Sequence, residues 1–495
     1  MTVALGIALF IVAVTTGGTT YLARRRRKVT MSEWAVGGRS FGGILLWFLS
    51  AGEIYTTFAF LGAAGWAYAY GAPGFYILAN APLGYVLGYW LLPKIWRAGH
   101  DHNVMSQADY IRARFGRRWL AGLIALIGVL ALIPYVQVQL TGLSTILTVM
   151  FHGSVGKPLA VLVGALLLLT FTFTAGLRSS AFASMVKDVF VVGVVVAVFV
   201  TIGTLTGLGG IGGIFRHMAE QHPNYTNLPG MQSGTHYSPW WFCSSILMTN
   251  IGYWMWPHSF QANLSAKSDR AIRRNAVLQP IYTLSYFFIF VIGFAALLTL
   301  PHLTDSNTAL VSVIYRYFPQ WFIGIAAGTG ILVALVPSTV MLLTLGTTVA
   351  RNIYRPTADL SDRHRLLVGR LATVVGVAIA AYLTLGSSST IVSLLLVAYS
   401  GIAQIGPAVV LSLIWRRTTA YGVAAGSLVG IALVGIPQVS TWWSGISSIE
   451  VGLFAVAVNT VVLVAVSLCT RAPEQANIAV GIPDSTLPRT VPAPA

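Results

Sequence analysis

Apolar runs of about twenty residues recur along almost the whole chain, and they leave few folds open to it. At about 1.5 Å per helical residue, each such run crosses a hydrocarbon core of about 30 Å. Only 9% of the residues are charged and 56% are hydrophobic, whereas an ordinary soluble domain carries roughly 25% charged residues. Mean hydropathy is +0.76. The runs lack period-two alternation, which argues for an all-α integral membrane bundle and against an outer-membrane barrel. Hydropathy predicts thirteen transmembrane helices, at about 2–22, 41–66, 74–97, 119–149, 157–176, 182–206, 239–259, 279–300, 320–349, 369–386, 389–413, 421–438 and 451–470.

The formal net charge of +17 would suggest nucleic acid in a soluble chain, so its location decides its meaning. With the N-terminus outside, only Lys157, Arg216 and Arg316 of the 30 basic residues fall on the outer side. Arg24 to Lys28, Arg112 to Arg118, Lys267 to Arg274, Arg351 to Arg370 and Arg416-Arg417 gather on the other. This asymmetry predicts N-out, C-in in a multi-pass protein of the cytoplasmic membrane. The basic excess is then topological, with anionic lipid headgroups as secondary partners and no nucleic acid. The first apolar run precedes its basic cluster, so it reads as a retained helix and not a secretory signal. Cys243 and Cys469 are too few for a disulfide framework. The Pro- and Ala-rich tail after Arg471 is expected to be disordered and is too short for a catalytic module.

Within this apolar background, the stretch Trp47 to Phe58 holds Gly52, Glu53, Thr56 and Thr57 mid-span. An ionised acid at membrane depth costs at least about 2.5 to 3.5 kcal/mol, so Glu53 is expected to face a partner or a watery cavity, or to be protonated. Glycines and hydroxyls here predict a locally unwound helix. The run Asn250 to His258, with Gly252 and Pro257 among aromatics, predicts a second interrupted span. Two broken spans five apart point to an inverted-repeat transporter with its site at the repeat interface. Pro134 kinks a span in which Tyr135 and Gln139 share one face. Ser184 and Lys187 share another face, while Lys187 and Asp188 are expected to point apart. Ser338 and Thr339 follow the break at Pro337. The basic stretch Asp109 to Gly116 reads as a helix anchored at headgroups, His258 as a structural hydrogen-bonding group, and His100 and His102 as solvated.

Taken together, Gly37-Gly38-Arg39-Ser40-Phe41, Asp109 to Gly116, Pro134-Tyr135 with Gln139, Ala266-Lys267-Ser268, Arg351-Asn352-Ile353-Tyr354 and Gly406-Pro407 before Trp415-Arg416-Arg417 resemble the sodium:solute symporter family. Gly52 to Thr56, Val186-Lys187-Asp188, Trp256 to Ser259 and Ala334 to Pro337 are similar to its bacterial monocarboxylate permease branch. The resemblance implies a leucine-transporter-type five-plus-five inverted repeat working by alternating access. On that scheme 1–40 is an extra N-terminal helix with a basic loop, and 41–206 and 239–413 are the two halves flanking an extracellular loop at 207–238. Residues 414–470 hold two further helices and 471–495 the tail.

The resemblance also implies sodium ligands at the backbone of Gly52 and Tyr55 and at two adjacent hydroxyls of the ninth span. An ungapped match puts those hydroxyls at Val336 and Pro337, which have none, and a short shift brings in Ser338 and Thr339. A family aspartate falls at Ser184 and a glutamine at Lys187. Lys187, with Glu53 nearby, is therefore expected to stand in for sodium, which favours proton coupling and leaves sodium as the alternative ion. The implied pocket is Asn250, Tyr253 and Trp254 with Thr56, Thr57, Tyr135 and Gln139. Lactate, pyruvate, acetate or propionate fit it, and a small amino acid remains open. The sequence has no metal-ligand spacing such as H-x-x-x-H, so neither an enzyme nor a cofactor is expected.

Overall fold

The structure, a computed structural model, describes residues 2–24, 36–102, 104–150, 155–231, 237–354 and 361–471. Those residues are helical apart from turns and one isolated parallel bridge, Phe41 to Ala266. The basic block Arg25 to Lys28 and the tail 472–495 lie outside them. Ten helices are long and apolar enough to cross a membrane, or up to 12 if each of two bent pairs is one span. The count of thirteen does not follow by that measure, because the segment at 239–259 is two helices, Pro239–Tyr253 and Pro257–Leu264. Each is too short to span alone. The segment at 421–438 is also corrected: its helix ends at Gly435, and Pro437 opens a second helix bent away by 77°. The expected outer loop at 207–238 is partly a helix, Gly210–Gln221.

At the centre stands Gln320–Thr348, buried almost from end to end. Such a helix is apolar all round, so its place is the middle of the bundle and not the lipid face. It packs against Thr2–Arg24, Arg118–Met150 and Leu177–Leu205. Lipid tails are as apolar as leucine, so helices in a bilayer gain by close backbone approach. Gly324 and Gly328 supply it, since a Cβ there would lie 2.7 Å from the Ala4 carbonyl oxygen and 3.2 Å from Ala8 Cα.

Both interrupted spans are broken where the sequence predicts. Gly43–Ile54 stops at Tyr55 (φ −83°, ψ 78°) and resumes at Phe58 with a 50° bend. Pro239–Tyr253 gives way before Pro257, whose ring has no N–H to continue a ladder and keeps Trp256 extended (φ −60°, ψ 127°). Breaking a buried helix frees carbonyls that need donors. The Tyr286 hydroxyl donates to Ile54 O at 2.9 Å, and the Lys187 ammonium to Tyr55 O at 3.0 Å.

The motifs at the basic ends of the helices converge on one clasp. On helix Gln107–Phe115, Asp109 accepts from Arg351 at 3.0 Å and from Asn352 at 2.9 Å. Arg114 and Tyr110 both reach Ser412, at 3.0 Å each. Arg39 donates to the carbonyls of Gly99 and Val104 at 3.0 and 2.8 Å. Burial holds that arginine below its usual pKa, and Arg351 adds to the shift while Asp109 opposes it. The expected headgroup-anchored helix also has a face packed on protein. Gln107, Ala108, Tyr110, Ile111 and Arg114 are buried against protein, so this helix has an inner face as well as a basic one.

Candidate functional site

A cavity lies between the two breaks. Ile54, Glu53 and Phe58 line it from the first broken helix, and Tyr253, Trp254, Trp256, His258 and Ser259 from the second. Tyr85, Tyr135, Tyr286 and Tyr399 complete an aromatic wall, with Asn80 and Asn263 as its amides. Its free space is about 40 Å³, room for a handful of atoms. Glu53 is 7% exposed. One side of its carboxyl meets the Ser259 hydroxyl, and Oε1 has no hydrogen-bond partner among the described residues.

A second polar cluster sits behind the first break. Lys187 and Asp188 form a wholly buried ion pair at 2.6 Å. The ammonium also donates to the freed Tyr55 carbonyl and lies 6.0 Å from the centre of the Tyr55 ring. Gly52 is what lets helix Leu177–Leu205 come this close. A Cβ at Gly52 would meet Ser184 Oγ at 2.1 Å and Lys187 Cε at 3.7 Å. The structure thus brings Gly52, Tyr55, Ser184 and Lys187 together.

Two expectations about this cluster are corrected. Lys187 and Asp188 do not point apart, because the four-carbon lysine stem is long enough to curl round the helix to its neighbour. Nor is Glu53 the partner of Lys187: the lysine pairs with Asp188 and is absent from the lining of the cavity that Glu53 faces. Ser338 and Thr339 are fully buried and donate to their own helix at Ala334 and Leu335, at 2.6 and 2.9 Å. Hydroxyls in apolar helices commonly make this bond back to the preceding turn.

Of the expected pocket, Tyr135, Tyr253 and Trp254 line the cavity, whereas Thr56, Thr57, Gln139 and Asn250 do not. Thr57 donates to the Gln139 side-chain oxygen from its hydroxyl at 3.0 Å and from its amide at 3.3 Å. That pair braces the first break against the Pro134 helix. Thr56 accepts from the Phe58 amide at 3.3 Å and hydrogen-bonds Tyr135. Asn250 donates to Ile246 O at 2.8 Å. Even Trp254 contributes only its ring, since its indole N–H is taken by Gly84 O at 2.7 Å.

Sequence reasoning missed Asn80, Tyr85, Ser259, Asn263, Tyr286 and Tyr399 as wall residues, and read His258 as structural although it too lines the cavity. A signal existed for two of them: Ser259 and Asn263 are one turn apart just after the second break. The others come from three further helices and carry no local mark. Among the described residues no group of three or more His, Cys, Asp or Glu side chains is placed to hold a metal.

The profile of the sodium:solute symporter family matches residues 34–430. The uncharacterized symporter YhjB of Bacillus subtilis is 35% identical over 474 residues, covering 92% of this chain and 94% of that protein. A monocarboxylate transport permease of Rhizobium johnstonii is 29% identical over 489 residues, covering 94% and 97%. Among solved structures, a Na+-coupled sialic acid symporter in a substrate-bound outward-open state aligns with a TM-score of 0.77 at 15% identity. That alignment covers 96% of this chain and 99% of the symporter, so the two share a fold. With its broken helices and multiple apolar spans, this chain is a multi-pass membrane transporter, not an enzyme, and it belongs to the sodium:solute symporter family.

Proposed function

We propose that this chain is a proton-coupled importer of small monocarboxylates in the cytoplasmic membrane, oriented N-out and C-in, with 41–206 and 239–413 as inverted halves rocking about the cavity. The observation that carries the coupling is the Lys187 ammonium at 3.0 Å from the freed Tyr55 carbonyl. A fixed cation there meets the electrostatic need that a bound sodium ion would otherwise meet. A proton then enters on Glu53. A neutral carboxylic acid donates a hydrogen bond to an anionic solute in the cavity, where an ionised one would repel it. Small free space, an aromatic wall and similarity to the rhizobial permease support a solute of acetate to lactate size.

A second reading, a sodium-coupled symporter of a small amino acid, has one observation in its favour. The unpartnered Glu53 Oε1 faces the cavity and suits an ammonium group. Sodium would then use the oxygens of Ser338 and Thr339, whose lone pairs remain after they donate to their own helix.

The test is uptake of labelled lactate or alanine into proteoliposomes under an inward proton gradient without sodium, and under an inward sodium gradient at equal pH. Lactate uptake driven by protons alone, lost in Glu53→Gln, is the expected result. A strict sodium requirement that Ser338→Ala or Thr339→Ala weakens would replace it with the second reading.

A further inference from the structure

Polar groups on the cavity wall are unevenly supplied with partners. Three acceptor oxygens on it, Glu53 Oε1, Asn80 Oδ1 and Asn263 Oδ1, are buried and have no hydrogen-bond partner among the described residues. Asn263 is fixed in that sense, because its amide donates to Ser259 O at 2.7 Å and turns the oxygen away. The side chains are 7%, 4% and 3% exposed respectively, too deep for solvent to serve them freely. Burying an acceptor without a donor costs about 1 to 3 kcal/mol, so a solute that closes this cavity well has to bring donors of its own.

We infer that the solute carries a hydrogen-bond donor, a hydroxyl or an ammonium, beside its carboxylate, and that Asn263 with Asn80 selects for it, since Glu53 carries the coupling proton and donates to the carboxylate. This rests on the cavity being the carboxylate site proposed above and narrows the class it takes. Hydroxy and amino acids of two or three carbons qualify. Acetate, propionate and pyruvate have carboxylate oxygens, and in pyruvate a ketone, but no donor once ionised. They would leave the acceptors unserved. The carboxylate end has its own donor in the O–H of Tyr85, which accepts from Tyr253 on the same wall. Selection of this kind is strong, since a site built to bond a substrate O–H or N–H rejects the analogue lacking it far better than an apolar pocket rejects a methylene.

The experiment is competition against labelled lactate, and in a second arm labelled alanine, with the full chain in proteoliposomes. Competitors are lactate, alanine, propionate and pyruvate, where propionate is lactate without its hydroxyl and alanine without its amine. We expect lactate or alanine to compete at least about ten-fold better than propionate and pyruvate. Which of the two leads identifies hydroxyl or ammonium as the donor. In Asn263→Ala that ratio narrows by loss of affinity for the donor-bearing solute, while competition by propionate is unchanged. A merely structural asparagine would weaken all competitors alike. If propionate competes as well as lactate and alanine, the donor inference is overturned and the carboxylate reading stands. If neither tracer is accumulated under a proton or a sodium gradient, both fall.

Discussion

On the proposed mechanism, Lys187 and Asp188 set both stability and coupling as one pair. Each is buried, at 0% and 2% side-chain exposure. Removing one partner of such a pair leaves a bare buried charge, at a cost of about 3 to 5 kcal/mol. Lys187→Ala is therefore expected to lower the thermal midpoint in detergent sharply and to abolish gradient-driven uptake. Lys187→Met combined with Asp188→Leu removes both charges and is expected to recover most of the midpoint and none of the coupled uptake. Recovery of coupled uptake in the double variant would show that the pair is only a packing device. From the sequence the lysine was legible as a cation either snorkelling from the inner end of its span or lying inside the bundle. Its partner was not, because adjacent residues on a helix leave about 100° apart and only the reach of the folded side chain brings them together.

At the scale of the element, the break at Tyr55 depends on a glycine one turn earlier. Gly52→Ala puts a methyl 2.1 Å from Ser184 Oγ, so the two helices have to part. Uptake is expected to fall by an order of magnitude or more at near-normal expression. Ser184→Gly in the same chain relieves the contact at about 0.5 kcal/mol of helix propensity, and part of the uptake should return. The clasp is a second element-level device. Asp109 ties helix Gln107–Phe115 to Arg351 and Asn352 at the end of the central helix, through bonds of 3.0 and 2.9 Å. Asp109→Asn weakens that tie. Hydrogen exchange of the amides in 104–116 and 349–354 should rise, with the protection of the buried central helix unchanged. Both breaks could be read from Gly and Pro in apolar spans. The clasp could not, since its members are over 200 residues apart in the chain.

For the whole molecule, charge asymmetry makes a prediction independent of the site. A green fluorescent protein fused after residue 495 is expected to fluoresce, and alkaline phosphatase fused there to be inactive, as an inner-side C-terminus requires. The opposite pair of outcomes would reverse the orientation and every directional statement with it. The central helix sets the architecture around that orientation: buried from Phe322 to Thr348, it leaves the other spans to meet the lipid.

Hydropathy, charge placement and helix breakers were enough to give an all-helical membrane bundle with two interrupted spans and to mark Glu53 as a group needing a partner, a cavity or a proton, because each of those properties is local. Chain order also carried the family likeness. Only the tertiary structure decided which polar side chains line the cavity and which brace the fold. Thr57, Gln139 and Asn250 have the right chemistry for a pocket, yet each spends its donors or acceptors on neighbouring helices or its own backbone. Asn80, Tyr85, Tyr286 and Tyr399 lie in unremarkable apolar runs, yet line the cavity. Where a polar group points in a bundle is set by helix rotation and crossing, and those follow from close contacts such as Gly52 with Ser184 and Gly324 with Ala4. Such contacts join residues far apart in the chain, and local sequence does not encode their pairing.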